Sequence, residues 1–154
     1  MTDSTFAIGP IAPTAKEIDT VFETWLTELH TRFPNLTAED TALDAAEYAP
    51  PGGAFLAARS MGRVIGCGGI RAIDHRTCEI KRLCVIPTER HRGVGQALLA
   101  ALEHAARSLG HDTLRLDTDG SDPRAKELFE RAGYRPIHDY SGTPFAVAWF
   151  ERDL

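Results

Sequence analysis

Residues 78–102, CEIKRLCVIPTERHRGVGQALLAAL, decide the fold. From Cys78 to Ile86 the segment carries Ile80, Leu83, Cys84, Val85 and Ile86, an apolar run of strand type that Pro87 ends. From Gly93 the period changes. Val94, Leu98, Leu102, Ala105 and Leu109 recur every three or four residues, one face of a helix. Gly110 supplies the left-handed residue that commonly closes a helix. The helix N-terminus therefore falls at Arg90–Gly95. Its first amides have no partner inside the helix, and the helix dipole adds partial positive charge there. Gly93 and Gly95 let an anion approach the backbone, and Arg90, His91 and Arg92 flank them. A phosphate cradle and a plain strand-to-helix turn with a solvated basic flank both satisfy this pattern. The sequence holds no GxxxxGK[ST], and the third glycine of a GxGxxG would fall at Leu98.

The stretch closely resembles motif A of the GCN5-related N-acetyltransferase (GNAT) superfamily. There [QR]-x-x-G-x-[GA] follows the fourth strand and binds the pyrophosphate of acetyl-coenzyme A. Arg90, Gly93 and Gly95 match, and Gln96 opens the helix. A later block, AKELFERAGYRPI at 125–137, looks like motif B of the same superfamily. The resemblance extends from about Gly53 to the C-terminus. It implies acetyl-coenzyme A as cosubstrate, with Arg90, His91, Arg92, Gly93, Val94, Gly95 and Gln96 around the diphosphate. It also implies backbone contacts from Leu83, Cys84 and Val85 to the pantetheine arm, along a strand that bulges and splays from its neighbour. The residues themselves show the same difficulty. A period-two strand cannot keep Ile80, Leu83 and Val85 on one face without a bulge near Lys81–Leu83, unless both faces are buried there.

A chain of 154 residues is expected to be one domain spanning 1–154, with a substantial core. The formal charge of −5 argues against general nucleic-acid binding. Residues 81–92 nevertheless hold four of the 17 Lys and Arg, where even spacing would give about one. A local positive site suits an anionic cofactor. Cys67, Cys78 and Cys84 form no CxxC pair and are expected as buried, reduced thiols of a cytoplasmic protein. No His/Cys pairs show ligand spacing, so no metal is expected. Neither a signal-peptide pattern nor an apolar run long enough for a bilayer is present, so no membrane partner is expected.

Upstream, residues 5–12 are expected as a strand. A Thr14–Glu17 capping box then opens a helix with Ile18, Val21, Phe22, Trp25, Leu26 and Leu29 on one stripe. At that spacing Trp25 is expected in the core, with lining a substrate pocket as the alternative. Residues 37–48 are expected as a second helix, with Glu47 and Tyr48 at its end as surface residues or acceptor contacts. Strands are expected at 54–61 and 64–72, joined by a turn at Gly62-Arg63, with Gly66, Gly68 and Gly69 marking a bulge or a close backbone approach. Downstream, a strand at 113–119 precedes a helix capped by Ser121 or Asp122 with Pro123 at its first position, and strands follow at 135–140 and 145–151. The order gives a mixed α/β (α+β) sheet in a three-layer domain of about seven strands and four helices, which is the superfamily's topology.

Acetyl transfer from a thioester needs a neutral amine, a polarised carbonyl and a proton for the departing thiolate. The histone-acetylating members of the superfamily carry a base glutamate at the position matching Glu79, so the resemblance implies that role here. An ion pair with Lys81 or a neighbouring strand is the structural alternative. Where many members place an acidic tyrosine near the coenzyme sulfur, this chain has Phe129. Tyr134 and Tyr140 depart from the family pattern. Cys84 has no histidine beside it in sequence, and the superfamily generally uses direct transfer. Asp117 and Asp119 are solvated loop charges or contacts to a cationic acceptor. The expected function is transfer of acetyl from acetyl-CoA to a primary amine of a small molecule or peptide. The alternative of another class is a non-catalytic acyl-CoA sensor. Dimers are common in the superfamily, which leaves a homodimer open.

Overall fold

The structure is a computed structural model and describes residues 5–154. The first four positions of the expected 1–154 domain, where a signal sequence would begin, lie outside the described residues. Seven strands form one sheet: β1 Ala7–Pro10, β2 Ala54–Ser60, β3 Arg63–Ala72, β4 Thr77–Val85, β5 Thr113–Thr118, β6 Arg135–Ile137 and β7 Ala148–Asp153. Their order is β1-β2-β3-β4-β5-β7-β6. Every neighbouring pair is antiparallel except β4 and β5. Three α-helices, α1 Asp19–Arg32, α2 Val94–Ser108 and α3 Ala125–Arg131, complete the frame.

Side-chain alternation along the strands sorts the core onto two faces. One face packs Ile70, Cys78 and Ile80 under Leu99 and Leu102 of α2, with Phe129 of α3. The other packs Phe55, Val64 and Cys67 under Ile18 and Val21 at the start of α1, with Tyr48. Helix, sheet and helix make the three expected layers. Because β4 and β5 run parallel, α2 is the crossover between them, as a parallel connection requires.

Several local expectations are corrected. The Thr14–Glu17 capping box does not form. A 3-10 turn at Lys16–Ile18 leads into α1, capped at Ala15 without a side-chain bond, while Glu17 reaches Arg59 of β2 at 3.5 Å. Residues 37–48 make two 3-10 turns, Glu39–Thr41 and Ala45–Tyr48, in place of a second α-helix. Their short polar side chains bond the local backbone instead of propagating a helix: Asp40 Oδ2 accepts from Thr37 N at 2.8 Å, and Asp44 Oδ1 from Ala46 N at 3.1 Å. Tyr48 is buried against Phe55, not on the surface. The β2–β3 turn sits one residue early, with Met61 and Gly62 both left-handed. α3 begins at Ala125, after a turn in which Asp122 Oδ1 accepts from Arg124 N at 2.9 Å. β7 starts three residues late, which releases Phe145 from the sheet.

The expected bulge in β4 is present. Lys81 pairs with Gly69 and Cys84 with Cys67, so Gly68 alone opposes Arg82 and Leu83. Ile80, Leu83 and Val85 consequently all pack on the α2 face. The glycines of β3 serve close packing on both sides of this bulge. A Cβ on Gly69 would lie 2.5 Å from the Phe55 ring and 2.6 Å from the Tyr48 ring. Those rings are wedged edge to face, with centroids 5.4 Å apart, and have little room to yield. Gly69→Ala is expected to cost about 2 kcal/mol through overpacking and to lower the melting temperature by about 4–8 °C. An unchanged melting temperature would show that the rings have room to move.

Candidate active site

After Ile80 and Leu116 the ladder between β4 and β5 ends, although both strands continue. The strands splay, and the unpaired edge of β4 faces a cleft of about 780 Å³. The cleft runs from Gly93 and Gly95 at the start of α2, past Leu83, Cys84 and Val85, to Trp25 and Phe145. Backbone amides and apolar walls converge in it, the usual form of a cofactor pocket.

Three features build its cationic end. His91 and Gly93 both have positive φ, 64° and 84°, and such alternation turns successive N–H groups toward one point. Gly93 is the left-handed N-cap of α2, so the unpaired first-turn amides and the positive end of the helix dipole lie beside it. A Cβ on Gly95 would make ordinary van der Waals contact with Leu128 and Val85, each at 3.9 Å, so the turn there is not crowded. Arg90 is engaged in holding the turn. Its Nε donates to Val85 O at 2.8 Å, and Nη1 and Nη2 donate to the Glu28 carboxylate on α1 at 3.0 and 2.6 Å. The Glu28 bond raises its pKa further. His91 Nδ1 meets Arg124 Nη1 at 2.9 Å. Gln96 stands on the rim. The side chains of Arg92 and Val94 do not line the cleft: Arg92 pairs with Glu89, and Val94 is buried against the core. At these two positions only the backbone is available to a ligand in the cleft.

Glu79 is buried on the α1 face, its side chain 2 % exposed, and is not part of the cleft wall. Arg71 Nε on β3 donates to its Oε1 at 2.6 Å, and the Tyr140 hydroxyl donates to its Oε2 at 2.8 Å. Lys81 Nζ lies 3.8 Å from Oε2 and donates to Asp117 Oδ2 at 3.0 Å. Asp117, read as a solvated loop charge or an acceptor contact, is thus held in the wall, where Ser141 Oγ also donates to it at 2.7 Å. Trp25, read as core or as a pocket wall, lines the cleft with its ring 5.9 Å from Phe145. Glu47 pairs with Arg71 at 2.6 Å. Phe129 packs against Tyr134 and Phe150. Cys84 lines the cleft, with its Sγ 3.6 Å from that of Cys67. All three cysteines are free thiols. No group of metal-ligating side chains occurs among the described residues, and no described helix is long and apolar enough to cross a membrane.

Sequence reasoning did not find Arg71 or Glu28, because their roles depend on strands and helices far apart in the chain. A cue was available for Glu28: it follows Trp25 by three residues, so the two share the face that α1 turns to the cleft.

With this geometry in hand, comparison with known proteins is specific. Residues 18–134 match the model of the acetyltransferase (GNAT) family, and the chain belongs to that family and to its class of acetyl-transferring enzymes. An IAA acetyltransferase of Azospirillum brasilense is 36 % identical over 110 residues, covering 68 % of this chain and 71 % of that protein. A GNAT-family acetyltransferase structure from Staphylococcus aureus shares the fold with a TM-score of 0.83 at 17 % identity, covering 97 % of this chain and 99 % of that one. A GNAT-family acetyltransferase from Elizabethkingia anophelis, solved with acetyl-CoA bound, gives 0.66 at 19 % identity, covering 97 % and 98 %.

The three tyrosines make a pH prediction. Burial, first among the causes, pushes Tyr48 up to about 12. Burial also raises Tyr134, with the Glu103 charge behind it, and Tyr140, with the Glu79 charge behind it. Unfolded phenols release protons near pH ~10, while the folded ones keep theirs, so the unfolded state gains as pH rises past that value. Stability is expected to fall steadily above about pH 10. Tyrosinate absorbance should therefore appear together with loss of far-UV circular dichroism. Tyrosinate formation near pH ~10 in a still-folded protein would contradict the burial of these phenols.

Proposed function

We propose that this protein transfers the acetyl group of acetyl-CoA to a primary amine of a small molecule or peptide by direct attack. The splayed cleft between β4 and β5, with the left-handed glycine turn at its cationic end, carries this reading. The diphosphate lies over the first amides of α2. The pantetheine arm runs along the splayed edge of β4 at Leu83, Cys84 and Val85, where Val85 O also accepts from Arg90, much as an added strand would. The Elizabethkingia neighbour was solved with acetyl-CoA bound, which supports the cofactor. The thioester then lies where the two strands part, and a β4 amide polarises its carbonyl. No metal takes part in this scheme. Free thiols fit a cytoplasmic setting.

The attacking amine must lose a proton. Glu79 takes it through water, because its carboxylate sits behind Asp117 and Lys81, with Lys81 Nζ at 3.8 Å, beyond hydrogen-bond reach. Nitrogen attacks the carbonyl carbon, the tetrahedral intermediate expels the thiolate, and solvent protonates the sulfur. Phe129 has no proton to offer.

Two variants test the scheme. Gly95→Glu brings its Cβ only into ordinary contact with Leu128 and Val85 and places a carboxylate at a helix N-terminus, so the fold is expected to keep its melting temperature. It fills and charges the cradle, and acetyl-CoA affinity by calorimetry is expected to fall at least about 100-fold, equivalent to about 2.7 kcal/mol. Undiminished affinity would remove the diphosphate from this turn. Glu79→Gln is expected to lower kcat about 100-fold and to abolish the acid limb of the pH–rate profile, with acetyl-CoA binding intact. An unaltered profile would exclude Glu79 from proton transfer. Tight coenzyme binding without turnover across a broad amine panel would instead favour the sensor.

A further inference from the structure

Arg82 stands at the bulge in β4 with φ 59°, a left-handed conformation that a bulky side chain adopts only under constraint. In a regular strand it would share the α2 face with Ile80. The extra residue turns it to the α1 face instead. There its guanidinium carbon lies 4.3 Å from the centre of the Trp25 ring and 4.9 Å from that of Phe22. One Nη2 hydrogen goes to the carbonyl of Thr41. Among the described residues no carboxylate pairs with it. The contrast with its neighbours is sharp: Lys81 is held by Asp117, and Arg90 by Glu28. Burial lowers the Arg82 pKa, the expected cost of an uncompensated cation in an apolar setting. Arg82 nevertheless lines the cleft, at the end away from Gly93, beside Trp25 and Phe145.

We infer that Arg82 binds a carboxylate of the acetyl acceptor, and that the acceptor is therefore an amine that also bears a free carboxylate, of amino-acid type. This rests on the acetyltransferase reading and deepens it. The two aromatic rings fix the plane of the guanidinium, and the donors left by Thr41 form the fork that a carboxylate accepts. The acceptor's amine is directed to the acidic side of the same cleft, where Asp117 stands. A peptide N-terminus, whose neighbouring carbonyl is an amide, lacks the charge that Arg82 is placed to meet.

The test is a panel of L-α-amino acids and ω-amino acids, each paired with its carboxamide and its decarboxylated amine. Acetyl-CoA-dependent acetylation is measured on wild type, Arg82→Gln and Arg82→Lys. Wild type is expected to prefer the carboxylate form at least tenfold in kcat/KM for its accepted substrates, mostly through KM. Arg82→Gln is expected to bring the ratio near one, and Arg82→Lys to leave it in between. A merely structural role for Arg82 would depress both members of a pair equally, so a ratio that survives Arg82→Gln overturns the inference. So does a wild-type ratio near one, or acetyl-CoA binding with no carboxylate-bearing amine acetylated. Failure of wild type to bind acetyl-CoA in a thermal-shift titration would overturn the acetyltransferase reading itself.

Discussion

The bulge at Arg82 and Leu83 is the constraint on which the site depends. A nine-residue strand that kept strict alternation would send Leu83 and Val85 to opposite faces from Ile80. One inserted residue restores all three to the α2 face and keeps that core continuous from Ile80 to Leu98. The same insertion increases the local twist, and the ladder to β5 ends at Ile80 and Leu116. A row of unpaired backbone groups inside a protein is ordinarily a liability. Here it lines a cleft and is available to a ligand that pairs as a strand does.

Charge placement around the cleft follows from desolvation. Lys81, Asp117 and Glu79 are largely buried ionic groups, and each is costly unless paired. Arg71 and Tyr140 occupy both oxygens of Glu79, so its carboxylate stays fixed while the wall residues meet the ligand. Arg90 performs a different task from the one its basic character implies. By joining Val85 O to Glu28 it ties the glycine turn to both β4 and α1. The turn's attraction for an anion is then left mainly to backbone amides and the dipole, which do not relax as a flexible side chain does.

Most of the fold was legible in the sequence because its signals are local. The apolar run ending at Pro87 and the 3.6-period stripe after Gly93 are such signals, and so is the phase conflict among Ile80, Leu83 and Val85, which the structure resolves as a bulge rather than by burying both faces. The errors cluster where polar side chains compete with backbone pairing. Asp40 and Asp44 bond nearby amides and shorten a helix that composition favours. Glu17 leaves a capping role for an arginine 42 positions away. The half of the cleft proposed for the coenzyme was legible for the same reason as the fold, since a strand, a turn and a helix are contiguous. The half proposed for the acceptor was not. It is assembled from α1, the turn at Glu39–Thr41, the bulge and the segment after β6, and no spacing along the chain links Trp25, Thr41, Arg82 and Phe145.

This difference between the two halves has a physical origin. In the proposed scheme β4 meets the coenzyme with its backbone, which every residue type provides, so only the bulge and the glycines need be specified. It meets the opposite end of the cleft with side chains, which specify charge and shape. Arg82 belongs to both. Its main chain helps make the bulge that frees the strand edge, and its side chain is carried by that bulge onto the aromatic face of α1. On the proposed scheme, selection of the acceptor and exposure of the coenzyme-binding edge are thus properties of one backbone irregularity. The bulge beside the opening toward β5 also places a guanidinium at the far end of the cleft.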